Sequence, residues 1–373
     1  MTDKTKLVAI SRTDDMSALD ALKLLRFRRY NTARSQLRVT SVWSAWCARH
    51  GLTPFPVTAV DVERYINGLN GSVKMATISH FIACLSSVNS SLGFPDFRNV
   101  LIKALVQENE KKIVTGQALP FLISDLNILR RSLHKSDDLR DIRDLAMIWV
   151  GFETLLRNVE IRRIKTGDLK WQNDTSCYLL DVMRTKTSLS SNLTFQLSPQ
   201  CSQHIRRLIE TVEYTDTETF GHRFLFQPVN IHTNRYFPST SSKLSRGKSI
   251  DRMLVKAGFS EGLLTQLQNE SKVSREDVGM LSSNSLNQAF ARLWGIAGKV
   301  SDSNRQSGRY RTWTGHSVRV GGAIELFKAG YSLEKITEMG NWSDPKMVFR
   351  YIRGYLASEK AMVSFMRNHL DDI

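Results

Sequence analysis

The sequence predicts a mainly α-helical protein with a small antiparallel β-sheet, divided into an all-helical first domain and a mixed α/β second domain. Three observations lead to this prediction. Apolar residues recur at helical spacing through most of the 373 residues, the spacing changes to alternation in one short region, and a polar segment interrupts the pattern near residue 115. A prior of about 150 residues per domain also favours two domains.

The first domain is predicted to span residues 16–112, after a polar, flexible leader at residues 1–15. Helical periodicity begins at Met16 and recurs in four further segments, which are separated by the turn signals HGLTPFP, GLNGSV and GFPD. Residues 113–121, IVTGQALPF, contain Gly and Pro and break the periodicity. They are therefore predicted to form the linker between the domains.

The second domain is predicted to span residues 122–373. It opens with two helical segments, SDLNILRRSL and DLRDIRDLAMIWVGFETLL, each with Ser or Asp near its first turn. The alternating segments TSCYLLDVMRT and SNLTFQLS then predict a β-hairpin across the polar turn KTSLSS. Four more helical segments follow, of which SLEKITEMG is the last, but the pattern assigns no structure to residues 237–279.

Charge gives the first indication of a partner. The 52 Lys and Arg against 36 Asp and Glu give a net charge of +16 and a pI near 9.8, which favours a protein that lies along phosphates over a merely basic one. An anionic membrane surface is the rival partner, but no amphipathic helix combines a basic face with an aromatic one. With no secretory signal and four cysteines in no regular framework, we expect a cytoplasmic protein with reduced thiols.

In two pairs of charged residues, the two members are three positions apart. His316 and Arg319 are three residues apart, so on a helix they share one face and can bind one anion; a surface pair or a core histidine is the alternative. Arg157 and Glu160 repeat this spacing. Arg157 directly follows an apolar run, where a charge is costly unless it is paired or used.

Four other side chains stand apart from these pairs. Lys186 lies in the predicted hairpin turn, where it either projects towards a ligand or is simply solvated. Trp342 is either a core aromatic residue or a donor through its indole N–H. Tyr351 and Tyr355 are at helical spacing near the end of the chain, and side-chain chemistry alone does not choose between them.

In order and spacing, these residues resemble the tyrosine recombinase (lambda-integrase-like) family. Arg157 with Glu160, Lys186 in a β-turn, His316-x-x-Arg319, Trp342 and Tyr351 follow one another as the family's motif residues do. The resemblance covers most of the chain, including GLTPFP in the first domain and YIRGYLASEKAMV near the end, but residues 237–279 have no counterpart.

The resemblance implies an enzyme that cleaves and rejoins DNA strands by type IB topoisomerase-like chemistry, through a covalent 3′-phosphotyrosine intermediate. It implies neither a metal nor a cofactor. It selects Tyr351 over Tyr355 as the nucleophile. It implies that Arg157 and Arg319 clamp the phosphate, that Lys186 is the general acid for the 5′-oxygen, and that His316 is the acid/base near the nucleophile. Trp342 would be an N–H donor, and Glu160 a positioning carboxylate.

The resemblance also implies that the two domains form a C-shaped clamp on DNA, with a core-binding first domain and a catalytic second domain. Helices beginning near Thr32, a favourable N-cap, and near Met75 would enter the major groove. Most of the affinity would come from Lys and Arg at phosphates. The candidate DNA contacts are Arg34, Ser35, Arg38, Ala76, Ser79, His80, Asn284, Asn287 and Arg309.

The expected partners are double-stranded DNA with an inverted-repeat recombination site and further copies of the chain. We expect a monomer or dimer per site and a homotetramer on synapsed DNA. A C-terminal apolar stripe of Ala361, Met362, Phe365 and Met366 either docks into a neighbouring subunit or packs within its own chain. The chain would be encoded by a bacterium, phage or plasmid and associated with the nucleoid when bound to DNA.

The expected reaction is recombination between two identical sites, giving excision, inversion or integration. Three alternatives stay open: an integrase that joins unlike sites, a catalytically silent DNA-binding or architectural protein, and a metal-dependent nuclease. A nuclease needs clustered metal ligands. The dense acidic stretch DLRDIRD, with Asp138, Asp141 and Asp144, is better explained as a charged surface face of a helix.

Overall fold

The computed structural model describes residues 30–69, 73, 75–100, 102–104, 117–182, 193–237, 279–301 and 311–358. These residues group into two compact units, one within residues 30–104 and the other within residues 117–358. The predicted leader, the hairpin turn and the C-terminal apolar stripe lie outside the described residues. In the part of the chain that is described, no helix has both the length and the apolar character needed to cross a bilayer.

Three helices with described bounds lie in the first unit. They are α1 (Tyr30–Arg49), α2 (Ala59–Gly68) and α3 (Met75–Ser91). Because α1 begins at Tyr30, Thr32 lies inside the helix and the prediction of Thr32 as its N-cap is wrong. The N-cap of α2 is Thr58, whose hydroxyl accepts the Asp61 N–H.

Aromatic side chains hold these helices together. Trp43 is fully buried, and its indole N–H donates to the Pro54 carbonyl at 2.7 Å, which fixes the GLTPFP turn to the core. Its ring stacks on Trp46 at 5.2 Å, while Tyr65 of α2 stacks on Phe81 of α3 at 4.8 Å. The predicted all-helical character of this region is thus confirmed over the described residues.

A three-stranded antiparallel sheet lies near the start of the second unit. The predicted hairpin is present as β2 (Cys177–Val182) and β3 (Leu193–Gln196), with Leu180 opposite Phe195. The sequence did not predict β1 (Leu169–Gln172), which pairs with β2, nor the two-residue strands β4 (Val229–Asn230) and β5 (Arg235–Tyr236).

The rest of the second unit is mainly helical, and α7 (Pro199–Thr211) packs against β2. The helices predicted from periodicity are all found with bounds within a few residues of the prediction. In chain order the helices are α4 (Ile123–Leu133), α5 (Leu139–Thr154), α6 (Asn158–Arg163), α7 (Pro199–Thr211), α8 (Thr217–Phe220), α9 (Ser283–Ile296), α10 (Ser317–Lys328), α11 (Leu333–Met339) and α12 (Pro345–Ser358).

Helix α5 is the centre of the second unit. It is buried along most of its length and packs against α4, α7, α9 and α10. The end of the predicted linker also joins this core: Phe121 is fully buried, and its N–H donates to the Ser317 carbonyl at 3.1 Å. A Cβ at Gly321 would overlap the Phe121 carbonyl oxygen, so only glycine permits this close approach.

The acidic stretch at the start of α5 is not the surface face that the sequence suggested. Asp144 is fully buried and pairs with Arg143 at 2.5 Å and with Arg292 of α9 at 2.8 Å. Arg292 also binds Asp141 at 2.5 Å, so both carboxylates are neutralised by guanidinium groups. A buried carboxylate needs such partners. Only Asp138 is exposed, as the N-cap of α5.

Candidate active site

Arg157 and Glu160 begin the site at the junction between α5 and α6. Arg157 is the N-cap residue of α6, and Glu160 folds back from the first turn as in a capping box. One carboxylate oxygen of Glu160 accepts the Arg157 backbone N–H at 2.7 Å, and the other accepts Nη1 of its guanidinium at 3.2 Å. Glu160 therefore fixes both the backbone and the side chain of Arg157.

Arg319 enters the same region from the first turn of α10. It is only 3% exposed, and its guanidinium donates to two backbone carbonyls, those of Leu155 and of Gly340, the second at 3.0 Å. Burial, and then the nearby charge of Arg157, lower the pKa of Arg319 to about 10. The group is therefore charged at neutral pH, in a place where a bound anion would offset the unfavourable burial of that charge.

The ring of Trp342 packs against the guanidinium group of Arg319. The guanidinium carbon of Arg319 lies 4.4 Å from the centre of the Trp342 ring, a cation–π contact. The indole Nε1–H of Trp342 is buried and has no hydrogen-bond partner among the described residues. Leaving a buried donor unpaired costs about 1–3 kcal/mol, so such groups need an explanation, and a ligand at the site supplies one.

Tyr351 lies on α12, next to His316 and Trp342. It is 4% exposed, and its ring centre lies 5.3 Å from that of His316 and 5.7 Å from that of Trp342. The backbone carbonyl of Tyr351 accepts a hydrogen bond from Gln117 at 3.0 Å, a contact that no sequence motif indicated. His316 is exposed, so one side of the tyrosine faces an accessible imidazole.

The loop before His316 is held by side chains that the sequence did not assign to it. The Ser317 hydroxyl accepts the Thr314 N–H at 2.9 Å, and Oδ1 of Asn287 accepts the Gly315 N–H at 3.0 Å. Asn287 was predicted to read a base. The structure instead engages its carbonyl oxygen with the backbone, because α9 packs beside this loop. Nothing in the pattern of α9 could have indicated that contact.

The structure brings six of the seven predicted catalytic residues together, and their catalytic roles stay predictions. The six are Arg157, Glu160, His316, Arg319, Trp342 and Tyr351. Lys186 lies outside the described residues, and the side chain of Tyr355 is not described.

The predicted DNA contacts of the first unit differ in accessibility. Ser35 and His80 face each other across α1 and α3, with Oγ and Nε2 2.7 Å apart, and Ala76 and Arg38 are exposed. The hydroxyl of Ser79 is buried without a partner among the described residues, and its role as a base contact stays a prediction.

Three further predicted DNA contacts are Asn284, Arg34 and Arg309. Asn284 is exposed on α9. The side chain of Arg34 and all of Arg309 lie outside the described residues.

The described cluster has a definite chemical capacity. Two guanidinium groups and an indole N–H are donors suited to the oxygens of a tetrahedral anion, and Arg forks bind phosphate with defined geometry. A phenol and an imidazole lie directly beside them. The second unit thus presents a centre for a phosphate-like anion next to a potential tyrosine nucleophile.

A family model described as the phage integrase family matches residues 127–356. This range contains the complete described cluster from Arg157 to Tyr351. Because the match spans more than half of the chain, the protein belongs to the phage integrase family. The predicted membership of the tyrosine recombinase (lambda-integrase-like) family is thereby confirmed.

Individual relatives agree with this assignment. The chain is 28% identical over 346 residues to recombinase Cre of Escherichia phage P1, covering 91% of this chain and 88% of Cre. It is 26% identical over 170 residues to an integrase/recombinase XerD homolog of Selenomonas ruminantium, covering 44% of this chain and 50% of the relative. A solved structure of the XerH site-specific recombinase bound to a palindromic difH substrate has a similar fold, with a TM-score of 0.53, 13% identity, and coverage of 98% and 92% of the two chains.

Proposed function

We propose that the protein is a site-specific DNA recombinase that cleaves and rejoins DNA strands through a covalent 3′-phosphotyrosine intermediate at Tyr351. The observation that carries this proposal is the placement of Tyr351 between His316 and Trp342, in a centre that also holds the Arg319 guanidinium. Membership of the phage integrase family and the similarity to a phage recombinase support it.

The arginines bind the scissile phosphate in this proposal. Arg157 and Arg319 donate charge-assisted hydrogen bonds to its non-bridging oxygens, and these bonds strengthen as negative charge develops in the transition state. The unpaired N–H of Trp342 gains a partner at the same moment. Glu160 and backbone carbonyls hold the guanidinium groups of Arg157 and Arg319 before DNA binds, so little reorganisation of these two groups accompanies the reaction.

The strand is cut by transesterification. The Tyr351 hydroxyl oxygen attacks phosphorus and forms a new P–O bond, while the bond from phosphorus to the 5′-oxygen breaks. His316 accepts the phenolic proton, and the leaving 5′-oxygen takes up a proton from a general acid, the role predicted for Lys186. Attack by a 5′-hydroxyl of another strand reverses these steps and regenerates Tyr351, so the phosphodiester bond energy is kept and no ATP is needed.

The partner and the site type are proposed from the net charge and from the family resemblance. The net charge of +16 supports double-stranded DNA as the partner. Recombination between two identical inverted-repeat sites by a homotetramer is a prediction from the family resemblance and from the relative Cre. An integrase acting on unlike sites is the alternative, and recombination assays on paired fragments separate the two.

Covalent trapping tests the proposed function. The full-length protein is incubated with duplex fragments from the neighbourhood of its own gene, with and without EDTA, and then denatured. We expect protein-linked DNA that persists in EDTA, disappears in Tyr351→Phe and remains in the matched control Tyr355→Phe. DNA binding without any adduct would instead support a catalytically silent DNA-binding protein.

A further inference from the structure

Two successive carbonyls of one turn hold the two arginines of the site. The turn opens the segment 340–344 that links α11 to α12, and its residues are Gly340, Asn341 and Trp342. The Gly340 carbonyl accepts a hydrogen bond from Nη2 of Arg319 at 3.0 Å. The Asn341 carbonyl accepts one from Nη2 of Arg157, also at 3.0 Å. The orientation of both guanidinium groups therefore depends on the backbone of this turn.

The conformation of Asn341 makes the turn possible. Its φ of 48° lies in the left-handed region, and the Trp342 and Asn341 N–H groups donate back to the carbonyls of Thr337 and Glu338. These are the two hydrogen bonds of a Schellman motif with Asn341 at the C′ position. A right-handed conformation would continue α11 and carry the Asn341 carbonyl along the helix axis, away from Arg157.

A second residue of the site also has a left-handed backbone conformation and a carbonyl that binds an arginine. Leu155, the C-cap residue of α5, has a φ of 52°, and its carbonyl accepts a hydrogen bond from Arg319. Unfavourable backbone conformations of bulky residues persist where the surrounding structure requires them, and they cluster at functional sites.

We propose that Asn341 is a positioning residue that fixes both arginines through its left-handed backbone conformation. This inference rests on the proposed function, because it concerns how the same centre reaches its active geometry. The property that matters is the backbone conformation rather than the Asn side chain. Glycine should therefore replace Asn341 well, and a β-branched residue should replace it poorly.

The fold supplies a matched control. Glu213, at the end of α7, has a φ of 60°, and the Tyr214 and Glu213 N–H groups donate to the carbonyls of Ile209 and Glu210. It is thus the C′ residue of a Schellman motif like that of Asn341, but it is exposed and its carbonyl holds no arginine among the described contacts. Glu213→Val imposes the same backbone penalty outside the site.

The first test compares single-turnover adduct formation below the melting temperature of every variant. We expect Asn341→Gly to cleave within about twofold of wild type, and Asn341→Val to cleave at least about tenfold more slowly with unchanged DNA affinity. Asn341→Ala, a milder change, should fall between them if the Val variant fails to fold. Glu213→Val should lower the melting temperature but not the cleavage rate. Equal loss in the Gly and Val variants, or equal loss in Glu213→Val, would overturn the proposal.

The second test does not depend on activity. Crystal structures of Asn341→Gly and Asn341→Val should show the hydrogen bond from Arg157 to the carbonyl of residue 341 kept in the first and lost in the second. If wild type forms no adduct on any DNA, the proposed function fails, and these structures still decide the inference. An unmoved Arg157 in a Val variant whose residue 341 has left the left-handed region would refute it.

Discussion

Replacing Trp342 with Phe removes one buried N–H from the site and keeps an aromatic ring beneath Arg319. In the free protein the Trp342 indole N–H has no partner among the described residues, and this costs about 1–3 kcal/mol. The change also removes two buried ring carbons, each contributing about 0.8 kcal/mol. Since these effects oppose each other, we expect the free energy of unfolding to change by no more than about 1 kcal/mol.

The effect on strand cleavage should be much larger. A hydrogen bond to a charged group contributes about 1.5–3 kcal/mol, and the phosphate would be the only partner that the N–H acquires. At about 1.4 kcal/mol per factor of ten, Trp342→Phe should slow cleavage by about 10- to 150-fold. A large loss of rate with little loss of stability is the result that a packing role alone does not produce.

Trp294 provides the control for this comparison. Its indole Nε1–H is also buried without a partner among the described residues, but Trp294 lies on α9 and its ring packs against that of Trp313, with the ring centres 5.2 Å apart. Trp294→Phe should change stability by a similar small amount and leave cleavage at the wild-type rate. The assay is single-turnover adduct formation at saturating protein, together with calorimetric melting. If Trp342→Phe cleaves like wild type, or Trp294→Phe loses as much activity, the Trp342 N–H has no part in the reaction.

Two further predictions concern packing and charge. Gly321→Ala should lower the free energy of unfolding by about 1–3 kcal/mol, because its Cβ would overlap the Phe121 carbonyl. Gly295→Ala has open space around its Cβ and should raise the free energy of unfolding by up to about 1 kcal/mol. Chemical denaturation of both variants checks this. Inorganic phosphate should raise the melting temperature more than chloride at equal ionic strength, because it offsets the buried charge of Arg319. That difference should shrink in Arg157→Gln, and an equal effect in this variant would mean that the anion acts elsewhere.

The sequence predicted those parts of the structure whose signal is local or follows a fixed order. Helix α5 has a long apolar period and an Asp N-cap, so its bounds were predictable, and the order of the six clustered residues indicated the site. Strand β1 was not predicted because four residues are too few to show an alternating pattern of apolar and polar side chains. The four cysteines, which were predicted to be reduced, are free thiols, and all four are buried.

What the sequence did not predict depends on contacts between distant segments. The burial of Asp144 follows from Arg292, 148 residues further along the chain. The engagement of Asn287 with Gly315 and the burial of the Ser79 hydroxyl likewise depend on how helices pack. A charge or amide that looks exposed on its own helix can therefore be buried, because its neighbours are set by tertiary structure.

The described site is assembled largely from helix ends, and the polarity of those ends suits their tasks. The carbonyls that hold the guanidinium groups come from the C-terminal ends of α5 and α11, where unpaired carbonyls favour cations. Arg319 and His316 stand at the N-terminal end of α10, where the backbone favours an anion. The buried charge of Arg319 and the half-buried charge of Arg157 are thus stabilised on one side by carbonyls, while the side that would meet phosphate keeps its donors. This arrangement explains how Arg319 stays charged while buried, and why a change in the backbone at Asn341 should affect catalysis more than the loss of its side chain.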